Sequence, residues 1–189
     1  MIRELVAKSR SYRRFLEDRP VGRDVLIELI EIARLIPSAS NLQPLKYVLS
    51  AESEKNRLIF ECLRFAAYLK DWPGPAEGER PAAYVLILGD SEIAGTITWD
   101  HSIAAQTIML AAAEKGLGGC IIASIDRDRL RGALKIPPRY QILLVCVLGT
   151  PAETVVIENI KGGDHKYWRD AQGIHHVPKR PLGELILEI

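Results

Sequence analysis

The sequence predicts an α+β sandwich in which helices pack on a mixed sheet, and three observations lead there. Two unbroken apolar runs of strand length, "AAYVLILGD" (82–90) and "QILLVCVLG" (141–149), read as strands covered on both faces and so as the centre of a sheet. Apolar residues elsewhere recur at three- and four-residue spacing, the mark of amphipathic helices. Strict strand–helix alternation is missing and neither GxGxxG nor GxxxxGK occurs, which counts against doubly wound dinucleotide-binding and P-loop folds. A chain of 189 residues is short of two domains, so a single domain over 1–189 is expected, burying roughly 70% of its unfolded surface.

Taken in order, residues 22–36 carry Val25, Leu26, Leu29, Ile30, Ala33 and Ile36 on one helical face, and Pro37 ends that helix. "LKYVLS" (45–50) has strand composition, and residues 53–70 return to helical spacing through Leu58, Ile59, Cys62, Leu63 and Ala66. "DWPGPAEGERP" (71–81) is rich in proline, glycine and charge and reads as a loop, with a flexible lid as one use for it. Residues 99–119 start a helix at an Asp100 cap, run through alanine-rich turns that are apolar on nearly every side, and stop at Gly116. Such a helix is buried in its own core or against a second copy. "SIDRDRLRGALKI" (124–136) makes a further capped helix, and residues 166–177 read as two short strands joined by a turn around Gly173.

With 25 basic and 24 acidic side chains, the charge balance suggests neither a nucleic-acid partner nor an anionic membrane face. Cys62, Cys120 and Cys146 lie far apart inside apolar runs and read as buried small hydrophobes, not as a disulfide framework or a metal set. The first fifteen residues are charged from the third onward, and no window is long and apolar enough to span a membrane. The expected setting is soluble, reducing and cytoplasmic.

Four polar groupings stand out, each with a plainer reading beside it. In "SRSYRRF" (9–15), Arg10, Ser11 and Arg13 place two guanidinium forks and a hydroxyl together, suited to a phosphate; alternatively the segment is a solvated basic turn. In "PSASNLQPLKY" (37–47), Asn41 and Gln43 offer donors and acceptors to a heterocycle edge, whereas a helix stop with local hydrogen bonds accounts for Ser38 but not for the whole set. The glycines of "GLGGCIIAS" (116–124) permit close backbone approach to a flat ligand, or a helix cap and a flexible link. Lys179 and Arg180 sit at a proline-bounded corner, and the adjacent His175 and His176 point to opposite sides of a strand, which disfavours a two-histidine metal site. No GxSxG or HExxH is present, and nothing argues for hydrolysis.

In order along the chain, an RSxR segment, a helix ending in PSAxNxQP, an alanine-rich helix leading into GLGxC and a C-terminal PKR together resemble the nitroreductase family of FMN-dependent oxidoreductases. The similarity spans residues 10–182. It implies a three-layer sandwich around a mostly antiparallel sheet, built as an interlocked homodimer with FMN at the interface. Carried over by position, Arg10, Ser11 and Arg13 would hold the FMN phosphate and ribityl side with Lys179 and Arg180, and Arg13 would also reach the N1–C2=O edge. Pro37, Ser38, Ala39 and Asn41 of the other subunit would line the flavin, supported by Gln43, and Ile121, Ile122, Ala123 and Ser124 would lie along the ring.

The implied activity is ping-pong electron transfer from NADH or NADPH through FMN to a flat small-molecule acceptor such as a nitroaromatic or quinone. No side chain is required as an acid or base. The resemblance also allows the same fold with another reaction (flavin reduction, dehalogenation, biosynthetic oxidation) or a flavin-binding dimer without turnover. The chain departs from many relatives in having Ser9 where a second arginine is common, and Leu45 and Ile121 where aromatics are common, so a more aliphatic cavity is implied.

Overall fold

The structure, a computed structural model, describes residues 1–188. In chain order it contains α1 (Ile2–Lys8), α2 (Arg23–Ala33), β1 (Leu45–Ser50), α3 (Ser53–Phe60), β2 (Ala83–Asp90), α4 (Asp100–Glu114), β3 (Gly118–Ile122), α5 (Arg127–Leu134), β4 (Tyr140–Gly149), β5 (Val155–Asn159), β6 (Trp168–Arg169) and β7 (His175–Lys179). The strands β1-β2-β4-β3 form an antiparallel sheet, with the two apolar runs at its centre as the sequence leads one to expect. A second, small sheet β5-β7-β6 pairs β5 with β7 in parallel and β6 with β7 antiparallel. Together they give the α+β layered architecture.

Strand periodicity divides the interior in two. Ala83, Val85 and Ile87 of β2 join Cys146 and Leu148 of β4 under α2 and α4, whereas Tyr84, Leu86, Leu88, Val145 and Val147 face the layer of α3 and α5. A register shift between Ile87 and Leu88 lets Ile87 face Leu144 but Leu88 face Ile142, so Ile142 joins the second core although its parity in β4 would place it in the first. Each of these side chains removes apolar surface from water at about 25 cal/mol per Å².

Three element boundaries differ from the expectation. The helix over 22–36 stops at Ala33, and residues 34–36 finish it as turns whose amides bond back to Ile30, Ile32 and Ala33. The helix expected over 53–70 ends at Phe60, because the chain beyond it lies against the start of α5: Asp126 N–H donates to Cys62 O (2.8 Å), Arg64 N–H to Ser124 O (3.0 Å), and Ala66 takes φ +48°. Asp100 is the first residue of α4 and not its cap, which is Trp99, because its carboxylate is drawn to Ser38 and Ala39 in the loop after α2. The cap expected for the next helix is present, since Asp126 accepts Arg129 N–H at 3.1 Å. The short strands flank a turn with Gly173 at φ +81°.

Residues 71–81 are moored. Glu79 O accepts Phe15 N–H (3.0 Å), Glu17 accepts Gly78 N–H (2.6 Å), and Arg14 pairs with Glu79. Cys62, Cys120 and Cys146 are free and buried. No helix among the described residues is long and apolar enough to cross a membrane.

Candidate functional site

The site is assembled where the N-terminal segment crosses the edge of the large sheet. Ser11 makes an isolated parallel bridge to Gly119 of β3, and Tyr12 N–H donates to Gly119 O at 2.9 Å, so the chain around Ser11 runs beside β3. Gly119 is required by its packing on the other side: a Cβ there would lie 2.5 Å from Val147 O of β4 and 2.9 Å from Met109 Sδ of α4. The small sheet closes the other side, bringing Tyr167, His175, Val177 and Lys179 to a cleft of about 320 Å³ that also receives Arg10, Ser11, Arg13, Ile121, and Gln106 and Met109 of α4.

The cleft is cationic. Arg10, Arg13 and Lys179 line it, and among the described residues no carboxylate does. Arg10 Nη2 donates to Val6 O, and its buried Nε has no partner among the described residues. Arg13 is 9% exposed and pairs with no carboxylate among the described residues; its Nη1 donates to Ser11 O (3.1 Å) and faces His175 Nε2 (3.2 Å), and its guanidinium lies 4.7 Å from the Tyr167 ring centroid. Glu153, almost wholly buried, acts behind the cleft: one oxygen accepts the backbone N–H groups of Arg13 and Arg14, and the other accepts Arg169 at 2.8 Å. His175 is fully buried, and burial followed by the neighbouring Arg13, Arg169 and His176 lowers its pKa from 6.5 to about 4. One buried cation, Arg13, with no paired carboxylate among the described residues, the part-buried Arg10 and exposed Lys179 beside it, and the bare backbone of Gly119 suit an anionic, partly flat ligand.

Of the expected residues, the structure brings Arg10, Ser11, Arg13, Ile121 and Lys179 to this one cleft. Ile122 turns its side chain into the core beneath α3 and α5, because alternation along β3 sends it away from Ile121. Ala123 and Ser124 are exposed beyond the strand, and Ser124 lines a different cavity with Arg64 and Asp126. Arg180 points elsewhere and pairs with Glu184 at 2.9 Å.

Pro37, Ser38, Ala39, Asn41 and Gln43 form a second, separate surface. Asp100 at the start of α4 accepts Ser38 Oγ–H and Ala39 N–H (3.2 Å), while Ser38 Oγ accepts Gln43 N–H at 2.9 Å. Ser40, Asn41 and Gln43 all hold positive φ, at 50°, 53° and 52°, a costly backbone that leaves Ala39, Asn41 and Gln43 exposed. Asp100 precedes Gln106 and Met109 by six and nine residues on α4, roughly 9–13 Å along its axis. One chain does not bring this loop into its own cleft.

Residue type alone does not mark Gln106, Tyr167 and His175 as cleft residues. Gln106 carries a faint signal as the one amide of the alanine-rich α4; the two others acquire their place only when β6 and β7 fold back over the N-terminal segment.

The model of the nitroreductase family matches residues 6–150. A protein of Methanothermobacter thermautotrophicus, provisionally named NADH dehydrogenase/NAD(P)H nitroreductase, is 30% identical over 156 residues, covering 79% of this chain and 77% of that one. Among solved structures, an FMN-dependent nitroreductase of Clostridium difficile R20291 superposes with a TM-score of 0.65 at 26% identity, covering 81% of this chain and 88% of that one. A nitroreductase family protein of Streptococcus pneumoniae TIGR4 shares the fold over 100% of both chains, with a TM-score of 0.71 at 18% identity.

Proposed function

The chain belongs to the nitroreductase family, and on that premise we propose that it is an FMN-dependent NAD(P)H oxidoreductase that works as a cytoplasmic homodimer on a flat small-molecule acceptor, in ping-pong fashion. The observation that carries this reading is the convergence of Arg10, Arg13 and Lys179 on a cleft that, among the described residues, has no carboxylate in its lining and no partner for the buried Arg10 Nε.

The residues fit FMN. Arg10, Ser11 and Lys179 would hold the phosphate, Gly119 gives the ring a floor without a side chain, and Arg13 would present positive charge to the ring's electron-rich edge. FMN, when bound, would supply the chemistry by taking two electrons from the nicotinamide and yielding them to the acceptor. The protein's part is to bind, orient and polarise. Arg13 does this from a site where Ser11 O, His175 and Tyr167 restrict its motion. Ile121, 37% exposed, forms an aliphatic wall beside the opening.

A second subunit completes the site. At about 320 Å³ the single-chain cleft lies at the small end of ligand pockets, and the exposed loop 37–43 cannot serve its own cleft. Ile27, Ile32 and Leu35 on and beyond α2, Ile103 on α4 and Leu185–Leu187 near the C-terminus are exposed apolar surface that such an assembly would cover. The test is spectroscopic: purified protein, supplied with FMN, should show bound-flavin absorbance that NADH or NADPH bleaches without oxygen. Protein that stays colourless overturns the reading. Replacing Arg10 and Arg13 together by alanine should release the flavin.

A further inference from the structure

We propose that His175 is a positioning residue that orients the Arg13 guanidinium toward the flavin edge without neutralising it. The inference rests on the FMN reading above.

The geometry fixes the roles. A guanidinium has no acceptor, so across the 3.2 Å contact Arg13 Nη1 must donate and His175 Nε2 must supply a lone pair. The imidazole is therefore neutral and carries its proton on Nδ1, in keeping with a pKa held near 4 by burial and by Arg13, Arg169 and His176. Its backbone leaves it little freedom: it pairs with Val155 on one side and Arg169 on the other, and its N–H donates to Thr154 O at 2.8 Å. The Tyr167 ring, 5.2 Å from the imidazole and 4.7 Å from the guanidinium carbon, packs against both groups.

Two features make a plain packing role a poor account. His175 Nδ1 is buried and has no partner, a cost that a leucine or phenylalanine in the same place would avoid. Arg13 is itself buried without a carboxylate, although Glu153 lies close enough to bind its backbone N–H. An acidic residue at position 175 would orient the fork equally well but would cancel its charge. A neutral acceptor keeps the field that favours negative charge on the ring. No protein acceptor meets Arg13 Nη2 or Nε among the described residues, which leaves that edge of the fork for a ligand.

Three variants of the full-length protein separate orientation from charge. His175→Gln retains a neutral acceptor and should keep FMN affinity and the midpoint potential of the bound flavin near those of the parent. His175→Glu, of the same size, should bind FMN yet shift that potential clearly negative. His175→Leu should weaken FMN binding about tenfold or more, read by flavin fluorescence. Thermal unfolding of each variant reports folding, and if the leucine variant does not fold, the isosteric Gln–Glu pair decides. Equal potentials in that pair, or a glutamine variant as impaired as the leucine one, overturn the assignment. Parent protein that takes up no FMN overturns instead the function proposed above; ¹⁵N NMR of the imidazole still reads the contact, and a proton on Nε2 would refute it.

Discussion

Glu153 Oε1 accepts the backbone N–H of Arg13, so the position of a cleft cation is set from behind by a carboxylate whose side chain is 1% exposed. Its other oxygen holds Arg169, whose guanidinium lies 4.7 Å from the Trp72 ring and ties residues 71–81 to the small sheet. Glu153→Ala strands a buried guanidinium and two backbone donors and should cost about 3 kcal/mol in urea unfolding. Glu153→Gln, which keeps a carbonyl acceptor, should cost less. Flavin affinity should fall in the same order.

Gly119→Ala tests the cleft floor. The added methyl would lie 2.5 Å from Val147 O, a backbone atom of the neighbouring strand that cannot rotate away, so β3 must shift from β4. A loss of about 1–3 kcal/mol is expected, with weakened flavin binding. Glycine substitution at exposed Ser40, where φ is 50°, should instead be neutral or stabilise by up to about 1 kcal/mol.

His175 gives stability a pH dependence of determinate sign. Its folded pKa is about 4 against an ordinary 6.5, so between those values the unfolded chain binds a proton that the folded chain refuses. Stability should fall as pH drops from 6.5 toward 4, by at most about 1.4 kcal/mol per pH unit from this group, with no further contribution below. The difference between parent and His175→Gln in urea unfolding across that window isolates it, and a difference that does not change with pH refutes it.

Asp100→Ala should free the 37–43 loop by removing the acceptor for Ser38 Oγ–H and Ala39 N–H. The expected cost is about 1–3 kcal/mol, since two polar groups are left unpaired. Amide exchange at Ala39 and Gln43 should quicken, while exchange in β3 should not.

The central strands could be read directly because residues buried on both faces leave an unbroken apolar run in the chain, as in 82–90 and 141–149. Arg10, Ser11 and Lys179 were legible because charge clusters and proline corners are local features of sequence. What remained hidden depended on partners distant in the chain. The helical spacing of residues 61–66 was overruled by pairing with 124–126, and Ile122 was separated from Ile121 once that segment became a strand. Strand alternation sets His175 and His176 on opposite sides, but only the fold buries one against Arg13 and places the other against Trp168, with ring centroids 4.0 Å apart.

The interval along α4 between Asp100 and Gln106 has a genetic corollary. In the proposed homodimer, with cleft and loop drawn from opposite subunits, an allele altered at Arg13 and another altered at Asn41 would damage different halves of each centre. A heterodimer of the two products gathers both lesions into one centre and leaves the other whole, so two inactive alleles expressed together should restore activity that neither yields alone.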